Sequence, residues 1–384
     1  YNYPFGSGEG LGVGTTASGP AESSLKWEET TMTNIGLDLG LLDDQITSSF
    51  EYYNNISDDL LMNVALPTST LSHNGFISQN VGSVESKGIE MALGYNDFEG
   101  DFQWSVNVNL ATVKNKVLDL GIASAITGGL FEDQFISRTV VGESMFHFYG
   151  HVVDGVFQNQ GEVDSHATQE NAQPGDIRFK DVAGAPDEFG NPTGPDGVID
   201  ANDRTIIGNP FPDFTYGINL TADYKGFDFN VFFQGVSGND IYNTNIYDLE
   251  GMPRLFNSGV AVLDRWTPSN PSNTVPRALG AGENVTTSTR FVEDGSYFRM
   301  KNISLGYSIP TKLLGDKVSK LRIYVSAQNL LTITNYSGLD PEIGLYNPDG
   351  LFSSSATGDN AGIGIDYGNY PSPKSFVAGI QVSF

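Results

Sequence analysis

The stretch "DFTYGINLTADYKGFDFNVFFQ", residues 213–234, predicts a β-hairpin whose two strands each have an apolar and a polar face. Side chains of a strand point alternately to opposite sides, so residues two apart share a face. The apolar face of the first strand carries Phe214, Tyr216, Ile218, Leu220, Ala222 and Tyr224. After the two-residue turn Lys225-Gly226, the apolar face of the second strand carries Phe227, Phe229, Val231 and Phe233.

The same alternation recurs along the chain and predicts an all-β fold. Further hairpins are expected at 35–52 around Asp43-Asp44, at 89–110, and at 297–327, and the terminal segment 375–384 adds a ninth strand. One more hairpin is expected within 135–158, which gives nine to eleven strands. The composition agrees, because 24 Phe, 17 Tyr and 45 Gly favour strands and turns over helices.

The overall composition excludes several classes of protein. The formal net charge of −26 argues against nucleic-acid binding, which needs a basic surface. Cysteine is absent, so neither disulfides nor thiolate sites are expected. No apolar run is long enough for a membrane-spanning helix, which needs roughly 18 residues or more.

Strands of this kind fit either a soluble sandwich, whose apolar faces meet in a core, or an outer-membrane barrel, whose apolar faces contact lipid. Three features favour the barrel. The strands approach the 9–11 residues of a tilted membrane crossing, and short turns alternate with long, polar connections. Aromatic residues also lie near the strand ends: Phe214, Tyr224, Phe376 and Phe384.

Five blocks resemble, in order and spacing, the C-terminal barrel half of SusC/RagA-like TonB-dependent transporters. They are "GDIRFKD" (175–181), the long block 196–243 that contains the hairpin above, "DGSYFRMKNISLGYSIP" (294–310), "LRIYVSAQNLLTITNYSGLDPEI" (321–343) and "YPSPKSFVAGIQVSF" (370–384). The resemblance implies a 22-stranded outer-membrane barrel with a plug. No plug is recognisable in residues 1–384, so we expect the chain to be the C-terminal portion of the barrel.

The resemblance also implies partners and a function. It implies a SusD-like surface lipoprotein, coupling to TonB through the missing N-terminal part, and import of oligosaccharides or peptides across the bacterial outer membrane. The alternatives are a SusC-like barrel that acts as a structural or adhesive scaffold without transport, and a soluble sugar-binding β-sandwich. No catalytic motif is present, and His73, His147, His151 and His166 lack the setting of a base or metal ligand, so we do not expect an enzyme.

The last residue, Phe384, resembles the terminal aromatic signal that the barrel-assembly machinery reads; a girdle aromatic at the lipid boundary is the alternative. With the C-terminus periplasmic, the turns at 43–44 and 225–226 lie on the same side. The segments 57–84, 238–290 and 329–374 are then extracellular.

The acidic stretch "PTGPDGVIDAND", residues 192–203, partly matches a calcium-binding loop. Asp196, Asp200 and Asp203 occupy three ligand positions of that pattern, and the carbonyl of Val198 occupies a fourth. The first position falls on Pro192, and Asp181 replaces it if residues 185–195 are an insertion. The sequence therefore predicts a structural Ca²⁺ site, with a solvated acidic turn as the alternative.

Three aromatic residues in predicted loops are candidates for stacking on a sugar ring: Trp266, Tyr336 and Tyr346. Loops on a rigid scaffold often carry recognition residues. Local packing anchors are the alternative for each of the three.

Overall fold

A computed structural model describes residues 2–4, 11–13, 25–65, 76–121, 123–187, 193–278, 282–314, 317–344 and 362–384. Nine long strands dominate these residues, as the sequence predicts. Their bounds are Glu29–Leu41 (β1), Ile46–Asp58 (β2), Ser83–Asp97 (β3), Phe102–Thr112 (β4), Phe214–Tyr224 (β5), Phe227–Ser237 (β6), Tyr297–Ser308 (β7), Lys320–Thr334 (β8) and Ser375–Ser383 (β9).

The nine strands form one antiparallel sheet in which each strand pairs with its neighbours in sequence. A tenth, shorter strand, Lys114–Asp119, pairs with the start of β3. The predicted turn at Lys225-Gly226 joins β5 to β6, with Tyr224 opposite Phe227. Both turn residues have positive φ, 47° and 90°, which is the backbone of a tight two-residue hairpin turn.

Short and long connections lie at opposite ends of the sheet. The short turns 42–45, 98–101 and 225–226 and the connection 309–319 share one end, where Ser383 pairs with Lys320. The connections 59–82, 113–213, 238–296 and 335–374 leave from the other end. The prediction that Phe384 lies at the same end as the turns 43–44 and 225–226 is therefore confirmed.

The two faces of the sheet differ as the alternation predicts. The polar face is lined by small polar side chains, such as Asn107, Asn219, Asn230, Ser304 and Ser326. The apolar face keeps large side chains exposed, among them Leu37, Leu39, Phe50, Leu93, Leu305, Ile323 and Ile380. In a folded protein, so extensive an apolar face is normally covered by another protein surface or by lipid.

Aromatic pairs border the apolar face at both ends. Near the short turns, Phe227 lies 4.6 Å from Tyr307 and Tyr95 lies 4.9 Å from Trp104, measured between ring centroids. Near the long connections, Phe298 stacks at 5.0 Å on Phe233. Two aromatic belts around an apolar band are the pattern of an outer-membrane barrel.

The hydrophobic cores lie mainly in the long connections, where short elements pack together. Short strands are Asn2–Pro4, Leu11–Val13, Leu61–Ala65, Phe76–Asn80, Ile126–Phe131, Gln134–Thr139, His147–Gly150, Val153–Val156, Thr168–Gln169, Ile177–Phe179, Val198–Ile199, Thr205–Gly208, Asp240–Asn243, Val292–Asp294 and Ile365–Asp366. The helices are Gln160–Ser165 (α1) and Asn245–Gly251 (α2), and 3₁₀ turns cover Ala201–Asp203, Val260–Asp264, Glu283–Val285, Thr289–Phe291 and Thr311–Leu313. No helix in the described residues is long and apolar enough to cross a membrane.

The extra hairpin expected within 135–158 exists, but it lies outside the main sheet. Gln134–Thr139 pairs with His147–Gly150 in a separate four-stranded sheet. These strands have 6 and 4 residues, too short to cross a bilayer. The connection 113–213 therefore adds no crossing strand to the nine.

Candidate functional site

Two carboxylates face one another on the polar face of the main sheet. Glu51 of β2 and Glu90 of β3 are direct cross-strand partners. Asn34 donates a hydrogen bond of 2.6 Å to Glu51, but no cation in the described ranges forms an ion pair with either glutamate. Like charges directly opposite one another destabilise a sheet, so this pair calls for a positive partner.

The acidic pair lines a cavity of about 300 Å³ on the polar face, and a neighbouring cavity of about 430 Å³ shares Ser49, Ala92 and Asn109 with it. Their floors are made of small side chains such as Ser49 and Ala92. Gly94 adds no side chain there; a Cβ on it would lie 2.5 Å from Thr47 Oγ1 and 2.9 Å from Asn107 Oδ1, so a larger residue would displace these two side chains. The sheet thus leaves room above this part of its polar face.

A third cavity, of about 290 Å³, lies among the long connections. We call it the loop cleft; its charged and titratable lining residues are His151, Glu170, Asp200 and Arg204. Phe179 adds an aromatic wall and Thr286 contributes from the connection 238–296. The connections 113–213 and 238–296 therefore build this cleft together.

His151 is held by backbone hydrogen bonds, and its ring packs against Phe179. Its N–H donates to Thr287 O at 3.0 Å, and its carbonyl accepts from Thr289 N at 2.9 Å. The ring lies 5.0 Å from the ring of Phe179, and the residue is only 6% exposed. Nδ1 is buried without a hydrogen-bond partner. Burial, helped by the nearby Arg204, lowers the pKa of His151, so the imidazole is neutral at neutral pH.

The side chains of two glutamines in the cleft are occupied by hydrogen bonds to neighbouring segments of the chain. Gln134 Oε1 accepts hydrogen bonds from the amide and hydroxyl of Thr287, and its Nε2 donates to Val285 O. Gln169 Nε2 donates to Ile177 O, and its Oε1 accepts from Phe179 N. These side chains fix the walls, and the groups left to meet a ligand are those of His151, Glu170 and Arg204.

In the predicted calcium loop, the aspartate carboxylates accept hydrogen bonds from backbone amides. Buried Asp203 accepts from Val182 N and Asp200 N, both at 2.8 Å. Asp181 accepts from Gly197 N at 2.7 Å, so the structure brings it to the turn as expected.

The other two carboxylates of that loop also accept local amides, Asp196 from Val198 N and Asp200 from Asn202 N. Within the described ranges, no three acidic, histidine or cysteine side chains are grouped to hold a metal ion. The calcium site stays a prediction.

Two of the three aromatic residues predicted to stack on a sugar ring are buried, which leaves their ring faces covered by protein. Trp266 is 8% exposed, packs with Val156, Ile177 and Phe179, and donates its indole N–H to Gln158. Tyr336 is 5% exposed. Its hydroxyl donates to Asp366 at 2.5 Å, and burial raises its pKa. The loops form cores of their own, so large rings are used for packing; Tyr346 lies outside the described residues.

Sequence reasoning missed both sites for the same reason. Glu51 and Glu90 belong to different hairpins, and pairing between hairpins is not visible in local alternation. His151, Glu170 and Arg204 meet only through the fold of the long connections. The one available signal was the polar, irregular character of these connections, where ligand sites are common.

Comparison with known proteins gives consistent relationships along the whole chain. A family model described as TonB dependent receptor-like, beta-barrel, matches residues 1–139. TonB-dependent receptor P3 of Formosa agariphila is 36% identical over 375 residues, covering 95% of this chain and 35% of that receptor. TonB-dependent receptor SusC of Bacteroides thetaiotaomicron is 29% identical over 395 residues, covering 100% of this chain and 34% of SusC.

A solved structure of the RagAB peptide transporter shares the fold, with a TM-score of 0.75 at 24% identity. That match covers 100% of this chain and 38% of the matched chain. The chain therefore spans about a third of the length of the curated relatives named above.

Proposed function

This chain is SusC/RagA-like and forms part of a TonB-dependent-receptor β-barrel, and from this premise we propose that the protein imports nutrients across the bacterial outer membrane. The cargo is an oligosaccharide or peptide, moved without a chemical step. One observation carries the proposal: nine strands of crossing length present an apolar face bounded by aromatic belts, and all long connections leave from one end.

The proposal assigns the two ends of the sheet to the two sides of the membrane. The end with short turns and Phe384 faces the periplasm, and the long connections are extracellular. There they meet cargo and a SusD-like surface lipoprotein. Phe384 is 91% exposed, which suits a residue read by the barrel-assembly machinery.

The proposal also requires a plug that couples to TonB from inside the barrel. The unpaired Glu51 and Glu90 support it, because two carboxylates on the polar face are complementary to a basic segment in the lumen. The cavities of about 300 and 430 Å³ give side chains of such a segment space against the wall.

An uptake experiment tests the function. Cells that carry the gene are compared with a deletion strain, each with and without TonB, for growth on oligosaccharides or oligopeptides as sole carbon source. The importer predicts a growth defect in the deletion strain that loss of TonB reproduces. Normal growth of the deletion strain on every such substrate contradicts import and favours a scaffold barrel.

A further inference from the structure

We propose that the loop cleft binds one sugar unit of an oligosaccharide cargo, with His151, Arg204 and Glu170 as its hydrogen-bonding residues. This inference rests on the proposed import function and names the chemical class of the cargo. It also assigns the recognition of that cargo to residues of the connection 113–213.

The first argument is the unused hydrogen-bonding capacity of the cleft. His151 is 6% exposed and has a buried ring nitrogen without a partner. Unpaired buried polar atoms are costly and rare, so this nitrogen calls for a partner that the described residues do not supply. Arg204 and Glu170 are exposed, and within the part of the chain that is described neither takes part in an ion pair.

The second argument is the mixture of donors and acceptors. Arg204 offers only donors, Glu170 only acceptors, and the neutral imidazole of His151 one of each. A hydroxyl both donates and accepts, so neighbouring hydroxyls of one sugar ring satisfy all three side chains. A simple anion would be repelled by the carboxylates of Glu170 and Asp200, and a simple cation would be repelled by the guanidinium of Arg204.

The third argument is the aromatic wall. The rings of His151 and Phe179 lie 5.0 Å apart with an angle of 35° between their planes, and both line the cleft. Together they offer an apolar strip beside the polar groups. A sugar ring has the matching character, with C–H groups on its faces and hydroxyls around its rim.

The size of the cleft limits what it holds. Its volume of about 290 Å³ lies just below the range for small-molecule sites, which begins near 300 Å³. A single ring with its substituents is therefore the appropriate occupant. The rest of a longer cargo must extend out of the cleft, along the surface of the two connections that build it.

Binding to the detergent-purified protein tests the proposal. Titration calorimetry is run with maltohexaose, laminarihexaose, xylohexaose and, as the competing class, tetra-alanine. The variants are Arg204→Ala and Glu170→Ala, both at exposed positions that leave the packing intact. Lys180→Ala is the matched control, since it removes an exposed cation from the same connection outside the cleft.

We expect at least one hexasaccharide to bind, about tenfold weaker binding in each cleft variant, and unchanged binding in the control. The proposal is overturned if no hexasaccharide binds, if only tetra-alanine binds, or if the cleft variants bind sugar like the wild type. These results leave import itself intact as long as the deletion strain still shows its TonB-dependent growth defect. Loss of that defect would instead remove the proposed function.

Discussion

Glu51 and Glu90 stand directly opposite one another on adjacent strands, with the amide of Asn34 as a neutral neighbour 2.6 Å from Glu51. Glu85, on the same strand as Glu90, forms an ion pair with Lys87, with 2.8 Å between Glu85 Oε2 and Lys87 Nζ. The contrast shows that the sheet supplies a positive partner for Glu85 but none for Glu51 or Glu90.

We predict that the double variant Glu51→Gln/Glu90→Gln makes the outer membrane leakier to large antibiotics such as vancomycin. A basic plug segment would lose two carboxylates, and its hold on the barrel wall would weaken. Growth inhibition by vancomycin measures the effect. Glu85→Gln is the matched control, because its charge is already paired; equal sensitivity of both variants would contradict the assignment.

The apolar face gives a second prediction. Ile218→Arg places a charge on this face, next to its cross-strand partners Val108 and Phe233, and should cost about 2–4 kcal/mol of folding free energy near the bilayer midplane. Asn219→Arg, on the polar face, should cost far less. Urea titration of folding into lipid vesicles measures both, and equal costs would count against lipid contact.

The buried histidines predict a pH dependence of the long connections. Burial lowers the pKa of His147 and of His151, so each folded pKa lies below the value of about 6.5 in the unfolded chain. Between the folded and unfolded pKa values the unfolded chain binds more protons, and the free energy of unfolding therefore rises with pH. Stability should fall as the pH drops below about 6.5.

Hydrogen exchange of peptides that cover 147–151, compared between about pH 7.5 and pH 5 after correction for intrinsic rates, measures this loss. The double variant His147→Gln/His151→Gln should flatten the dependence. Peptides from β5 and β6 provide an internal reference. An unchanged pH dependence in the variant would show that other groups cause it.

The acidic loop allows a direct test of calcium. Asp203→Ala should destabilise the loop by about 1–3 kcal/mol, because it leaves the amides of Val182 and Asp200 without their acceptor. If the loop also holds calcium, a chelator such as EGTA should speed proteolysis between 192 and 203 in the wild type. Cleavage that is the same with and without EGTA would remove the calcium hypothesis.

The sequence was sufficient for the main sheet because its signal is local. The alternation of Phe214 to Tyr224 and the turn at Lys225-Gly226 depend only on residues close in the chain, and both are found in the structure. The recognition residues depend on distant contacts. Trp266 looks like an exposed loop aromatic in sequence, yet its burial is decided by Val156 and Phe179, about a hundred residues away.

The connection 113–213 has a further consequence for the order of folding. β4 and β5 pair along their whole length, although the entire connection lies between them, whereas β5 and β6 are joined by two residues. Closing the longer loop costs roughly 3 kcal/mol more chain entropy, since each doubling of length adds about 0.6 kcal/mol. Strands β4 and β5 should therefore pair late in folding, after the connection has folded around its own hydrophobic cores and brought its two ends together.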